Sequence, residues 1–332
     1  MGPNPHTPSS GDRDPDLQMP EELERPRHPA VREVPVPSED TIEYIMSDET
    51  RAEIYGPARR SLTFDWGATT HPGKVREHNE DHYLIYRRRR QQEVLGTNLL
   101  AGRDWNLVDD VYVLAVADGL GGHSYGELAS HLVLEMGLGG VPGSWLTRLA
   151  DLDINDVAAA AMTGAEMVHR RLIEESYRDA RFRGMASTLT ALVVQGSQVV
   201  LIHLGDSRAY LWHDGRLSQL SRDHTLAQDI LNRQPQLPGQ RTSRLANVLT
   251  NCLGGEDGPI RVETGRLQWS PGDCLLLCTD GLSDLVSFED LEREIGRERP
   301  AAESCQVLLQ QALEAGGRDN VTLALLRHLG PS

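Results

Sequence analysis

The stretch Val111-Tyr-Val-Leu-Ala-Val-Ala-Asp118-Gly119-Leu120-Gly121-Gly122-His123 decides how the rest of this chain is read. An apolar run rich in valine stops abruptly at an aspartate, and glycine fills three of the next four positions. The run is too short for a helix and apolar at both parities, so it predicts a strand buried on both faces. Asp118 then sits at the end of a rigid element that can hold a carboxylate still. The glycines allow a sharp turn and leave backbone amides and carbonyls open to a ligand. An Asp-Gly-x-Gly-Gly turn alone is more often a tight turn than a site, so its weight depends on what the chain repeats elsewhere.

Upstream, Leu62 to Thr70 alternates apolar and polar residues and predicts a first strand, and His71-Pro-Gly-Lys reads as a turn. Arg76, Glu77, His78, Glu80, Asp81 and His82 crowd into the seven residues that lead to a second strand over Tyr83–Tyr86. The arginine block 87–90 predicts an exposed hairpin reaching Asp110, with Gly96–Asp109 as an insertion at its tip. Downstream, apolar spacing predicts helices over Tyr125–Leu138 and Asp153–Tyr177. From Ser187 the period changes to two. Strands are expected at Thr188–Val194, Val199–Leu204 and Arg208–Trp212, joined as antiparallel hairpins through Gln195–Gln198 and Gly205-Asp206-Ser207. Further strands are expected at Leu217–Leu220, Asp273–Cys278 and Val321–Leu326, with helices at Phe288–Ile295 and Ala301–Ala315. Runs of strands set apart from runs of helices imply an antiparallel α+β architecture.

Composition narrows the class. The chain has 332 residues, 39% hydrophobic and 25% charged, as expected of a soluble globular protein. A net charge of −16 argues against nucleic acid, whose phosphates are bound by basic patches, and agrees with a carboxylate site that needs cations. Cys252, Cys274, Cys278 and Cys305 lack zinc-ligand spacing, which fits reduced thiols and a cytoplasmic setting. No apolar run approaches the ~20 residues of a membrane span. Residues 1–60 are rich in Pro and acidic residues and poor in large apolar ones, so a disordered tail is expected before a globular domain at 61–329. Within the tail, Thr41–Tyr55 carries Ile42, Tyr44, Ile45 and Met46 and reads as a linker, or else as a short docking helix.

The strand-then-aspartate pattern recurs. Leu275-Leu-Leu-Cys-Thr-Asp280-Gly281 is again an apolar run ending in Asp-Gly, and Gly317-Arg318-Asp319-Asn320-Val321 puts an aspartate at a strand start. Asp118, Asp280 and Asp319 gathered at one sheet edge would repel one another unless cations neutralised them. Oxygen-only sites suit hard ions such as Mg²⁺ or Mn²⁺, and paired ions are common machinery for displacement at phosphorus.

With these pieces in hand, the chain resembles the metal-dependent (type 2C, or PPM) serine/threonine protein phosphatases of the bacterial type. The matching motifs, in the family's order, are Arg76-Glu-His-Asn-Glu80-Asp81, Ala117-Asp118-Gly-Leu-Gly-Gly122, Gly184-Met-Ala-Ser-Thr188-Leu-Thr, Leu204-Gly-Asp206-Ser-Arg208, Asn247–Gly254, Thr279-Asp280-Gly281 and Arg318-Asp319-Asn320. The resemblance spans Leu62 to Arg327. It implies a central sandwich of two antiparallel β-sheets flanked by helix pairs.

It also implies roles. Asp118 would bridge two metal ions and the Gly119 carbonyl would ligate the second. Asp280 and Asp319 would hold the first, and Glu80 and Asp81 would bind metal directly or through waters. Arg76 would grip the substrate phosphate. Asp206 matches a position that some bacterial-type members use for a third ion, and it reads equally as a turn acid bonded to Arg208. The implied reaction is hydrolysis of phosphoserine or phosphothreonine by direct attack of a water bridging two Mn²⁺ or Mg²⁺ ions, with Asp118 and Arg76 at the reacting centre. The implied partners are phosphorylated proteins and a serine/threonine kinase acting on the same targets, with the enzyme itself a monomer. Some members place a histidine directly after Asp-Gly as a proton donor; Leu120 stands there here, which leaves that proton to a metal-bound water. His123 and His224 read as structural. Thr225–Ala246 matches the family's flap. An inactive phosphoprotein-binding scaffold would share the fold but be expected to lose one or more metal aspartates, and none is missing here, whereas a hydrolase of small phosphoesters would share the metal chemistry.

Overall fold

A computed structural model describes residues 62–92, 107–120, 124–138, 144–233, 245 and 247–331. The expected tail, the centre of the 96–109 insertion, most of the flap and Gly121-Gly122-His123 lie outside the described residues.

Strand β3 (Leu107–Leu120) is the spine, as its composition requires. It pairs with β2 (Asp81–Gln92) on one side and with β5 (Leu189–Gln195) on the other, both antiparallel. Val111, Val113, Ala115 and Ala117 point outward into a helix-covered core, while Tyr112, Leu114 and Val116 point into the space between two sheets. A strand covered on both faces has no polar side, which is why the run is continuous. β5 continues to β6 (Gln198–Leu204) and then to β10 (Glu263–Gln268). At the other end β3 extends through short β4 (Ala186–Ser187) to β9 (Leu253–Gly254). The second sheet runs β1 (Leu62–His71), β12 (Val321–Pro331), β11 (Cys274–Cys278), β7 (Arg208–His213), β8 (Arg216–Gln219).

Helices α1 (Ser124–Leu138), α2 (Trp145–Leu149) and α3 (Ile154–Arg178) cover the first sheet. The buried alanines of α3, Ala161 and Ala165, allow close approach to the first sheet, and Asp153 caps its start through the Asn155 N–H. A short α4 (Leu226–Arg233) follows β8. One-turn α5 (Asp280–Ser283), α6 (Phe288–Ile295) and α7 (Ala301–Glu314) follow β11, and α6 and α7 pack on the second sheet. The architecture is the expected α+β sandwich of two antiparallel sheets with helices outside.

Three expectations are corrected. β6 and β7 are not a hairpin: β6 lies in the first sheet and β7 in the second, so Gly205-Asp206-Ser207 is a crossover between layers. Both strands are apolar at both parities, so local pattern cannot say which sheet each joins. The arginine hairpin is longer than expected, since β3 already begins at Leu107 and Arg90 pairs with Asp109, leaving less of 96–109 as insertion. Arg89 reaches Asp110 bidentately at 2.9 Å, as the hairpin reading requires. Finally, Arg208 does not bond Asp206; its guanidinium clasps Asp223 at 2.6–3.1 Å.

Candidate active site

The site forms where strand ends from both sheets meet. Asp118, near the end of β3, stands directly opposite Asp81, the first residue of β2. The Asp118 N–H donates to the Thr188 hydroxyl (2.9 Å), and its carbonyl accepts from the Thr188 N–H (2.9 Å), fixing the strand end from both sides. The crossover after β6 delivers Asp206, and α5 delivers Asp280 at its first position after β11. Carboxylate oxygens of Asp118, Asp206 and Asp280 all lie within 4.8 Å of one another. Asp319 lies just before β12, and the Arg76 guanidinium reaches it at 2.7 Å with both side chains partly exposed.

Backbone fit brings these pieces close. A Cβ on Gly119 would stand 2.0 Å from the Gly126 carbonyl of α1, and one on Gly281 would stand 1.9 Å from the Asn320 carbonyl. Only glycine permits either approach. Glu80 is tied down by its backbone: its N–H donates to Asn320 Oδ1 (2.7 Å) and its carbonyl accepts from the Gly119 N–H (3.1 Å). The Asn320 amide also donates to the Pro72 (3.0 Å) and His78 (2.8 Å) carbonyls, so one side chain shapes the whole loop that carries Arg76.

Electrostatics mark the cluster as strained. Desolvation raises the Asp81 carboxyl to about 7, with the charges of Asp280 and Asp319 adding and the Thr279 hydroxyl (2.8 Å) partly offsetting. Desolvation raises Asp206 to about 7 and Asp280 to about 6, each helped by neighbouring carboxylates including Asp284. Asp118 is pushed well above the ordinary range by desolvation and then by Asp81, Asp280 and Asp206. Like charges held this close, away from water, leave an electrostatic deficit that a proton or a cation would fill.

The structure therefore brings Asp118, Asp206 and Asp280 together, sets Asp81 opposite Asp118, and links Asp319 to Arg76. Asp284, which the sequence reading missed, joins them: it lines a recess of about 210 Å³ together with Asp206, Arg208, Asp223 and Asp280. It falls one helical turn after Asp280, a spacing legible only once α5 is known to be a helix. His224 is buried and braced. Its Nδ1 accepts from the Gly205 N–H (3.2 Å) and the Asn251 amide (2.9 Å), and its Nε2 faces Glu263 (3.3 Å). His203 beside it bonds Thr190 (2.9 Å) and the Arg222 carbonyl (3.0 Å). With all four ring nitrogens engaged, these histidines support the crossover that carries Asp206 and agree with the structural reading of His224.

The two-sheet sandwich thus carries an acidic cluster and an arginine where its strand ends meet, and comparison with known proteins shows its family. The family described as protein phosphatase 2C matches residues 101–320. The serine/threonine phosphatase Stp of Listeria monocytogenes is 29% identical over 259 residues, covering 77% of this chain and 93% of that protein. PstP of Mycobacterium tuberculosis, a serine/threonine protein phosphatase, is 30% identical over 273 residues, covering 81% of this chain and 46% of PstP. The solved catalytic domain of PstP, in complex with two manganese ions, is 30% identical, with a TM-score of 0.62 over 80% of this chain and 99% of that one. The chain belongs to the protein phosphatase 2C family of serine/threonine protein phosphatases. Phosphoproteins are thus its substrate class. Among the described residues no helix is long and apolar enough to cross a membrane.

Proposed function

We propose that residues 61–329 hydrolyse phosphoserine and phosphothreonine by direct attack of water, with two divalent ions, Mn²⁺ or Mg²⁺, held by the carboxylate cluster. The observation that carries this reading is the convergence of Asp118, Asp206 and Asp280 from three separate strand ends to within 4.8 Å. The donor set fits hard cations. It is all oxygen, it carries excess negative charge, and Asp81 Oδ1 is buried with no hydrogen-bond partner. The two manganese ions of the PstP catalytic domain support the same stoichiometry. Asp118, the Gly119 carbonyl, Asp280 and Asp319 would hold the ions, and Glu80 and Asp81 would complete the set directly or through water. Asp206 is the candidate for a third.

Bound divalent ions supply Lewis-acid charge at phosphorus and a nucleophile active near neutral pH. The protein's own part is positioning. Arg76, on the loop shaped by Asn320, has a half-exposed guanidinium beside the cluster, where a fork of donors suits two phosphate oxygens. In this structure it rests on Asp319, so substrate would take over an ion pair already made. Leu120 offers no proton, so the leaving seryl or threonyl oxygen draws its proton from water. The physiological setting we propose is a cytoplasmic monomer that opposes a serine/threonine kinase.

The test is phosphate release from a phosphothreonine peptide with and without Mn²⁺ or Mg²⁺, alongside Asp118→Asn and Asp280→Asn. Activity only with metal, and a loss of at least about a hundredfold in each variant, is expected. Metal binding by calorimetry without turnover would favour a scaffold instead, and turnover indifferent to chelator would sink the metal assignment.

A further inference from the structure

We infer that a recess beside the carboxylate site receives an apolar side chain of the substrate protein, close in sequence to the phosphorylated serine or threonine; this rests on the function proposed above. The recess, about 340 Å³, lies where β7 faces the segment between α5 and α6. It shares two wall residues, Arg208 and Asp284, with the recess that holds Asp206 and Asp280, so the two are neighbours. A residue flanking a phosphorylated one at the carboxylates is the part of a substrate that would reach this neighbouring recess, since three extended residues span about 10 Å.

The chemistry of the wall selects the occupant. The wall includes the polar Gln219, Ser283 and Ser287 beside Arg208 and Asp284, and its apolar side is built on the buried Tyr210 and Val286. Phe288 stands at the rim with 43% of its surface exposed and its ring centroid 6.3 Å from that of Tyr210. Its backbone is rigid, because the Ser287 hydroxyl accepts from the Asp290 N–H (3.1 Å) and caps α6 at the preceding position. An aromatic ring held in place and open to water gains most from apolar cover. Of the two charged wall residues, Arg208 is already committed bidentately to Asp223, so no cation is free to receive an acidic side chain. Asp284 adds a negative charge that disfavours one. A pocket near 300 Å³ is at the lower end for small ligands and suits one side chain with its backbone. Leucine or methionine fits these conditions; aspartate and glutamate do not.

Matched phosphothreonine peptides with Leu, Ala or Glu at each of the three positions on either side would be assayed with Mn²⁺, together with a small aryl phosphate. The wild-type protein is expected to favour Leu over Ala about tenfold in kcat/KM at one position, mostly through KM, with Glu worst. Phe288→Ala and Phe288→Glu should reduce that preference to within about twofold and leave aryl phosphate hydrolysis unchanged. Equal rates for all three peptides in the wild type would overturn the inference. So would a Leu preference that survives both variants, or an equal fall on peptide and aryl phosphate. Failure of the wild type on aryl phosphate and peptides alike would instead refute the phosphatase reading on which it stands.

Discussion

Asp206 provides a test of the electrostatic argument that does not depend on turnover. Its carboxyl titrates near 7 in the fold because desolvation, then Asp280, Asp223 and Asp284, oppose its charge, against 3.8 as the unperturbed value. A raised acid makes the folded state bind more protons than the unfolded chain between those two values. Stability from this group is therefore fully present below about pH 4 and is lost as pH rises through 7. The rise from 3.8 to about 7 corresponds to about 4 kcal/mol at most, and solvent relaxation around a partly exposed group reduces that to about 2. Asp206→Asn removes the ionisation while keeping the shape. In chelator at pH 8 the variant should be the more stable, by about 2 kcal/mol or roughly 4 °C in Tm for a domain of this size. At pH 5, where the folded carboxyl is protonated but the unfolded one is ionised, the difference should shrink to less than half, and it should vanish only below about pH 4. With Mn²⁺ at pH 8 the sign should reverse, because an ion that binds only the folded state stabilises it by mass action and the variant lacks one ligand. Thermal unfolding at pH 5, 6, 7 and 8, with chelator and with Mn²⁺, reads all of this. A difference between variant and wild type that is the same at every pH would refute the reasoning, since it would mean that Asp206 acts by packing and not by charge.

Two further outcomes follow from other parts of the molecule. Gly119→Ala puts a methyl 2.0 Å from the Gly126 carbonyl, where only backbone could yield, so a loss of at least about 3 kcal/mol in denaturant unfolding is expected with Mn²⁺ present or absent. On the far side of the second sheet, exposed His213 donates to buried Asp273 (2.8 Å), with Asp214 nearby, and these carboxylates raise its pKa above 6.5. A raised base contributes stability that is full below pH 6.5 and is lost as pH rises through its folded value. His213→Ala should therefore cost more at pH 5.5 than at pH 8.5, which a pair of denaturant titrations would show.

Much of this protein was legible in the chain because its signals are local. The valine-rich run to Ala117 fixed β3 as a strand covered on both faces, since both parities are apolar and the outward and inward sets enter different cores. The alanine stripe of α3, the cap at Asp153 and the reduced cysteines of β11 follow the same local logic. So does the placing of Asp118, Asp280 and Asp319 at strand ends. What the chain could not say is which strands share a sheet. Gly205-Asp206-Ser207 looks like a hairpin turn, and only the packing of two sheets shows it to be a crossover that carries Asp206 to the carboxylates. The same holds for Arg208, which clasps Asp223 fifteen residues away, and for Asp284, which enters the site only because Asp280 starts a helical turn. Side-chain periodicity is set within a few residues. Pairing between layers is set by burial across the whole domain, and no short window of sequence contains it.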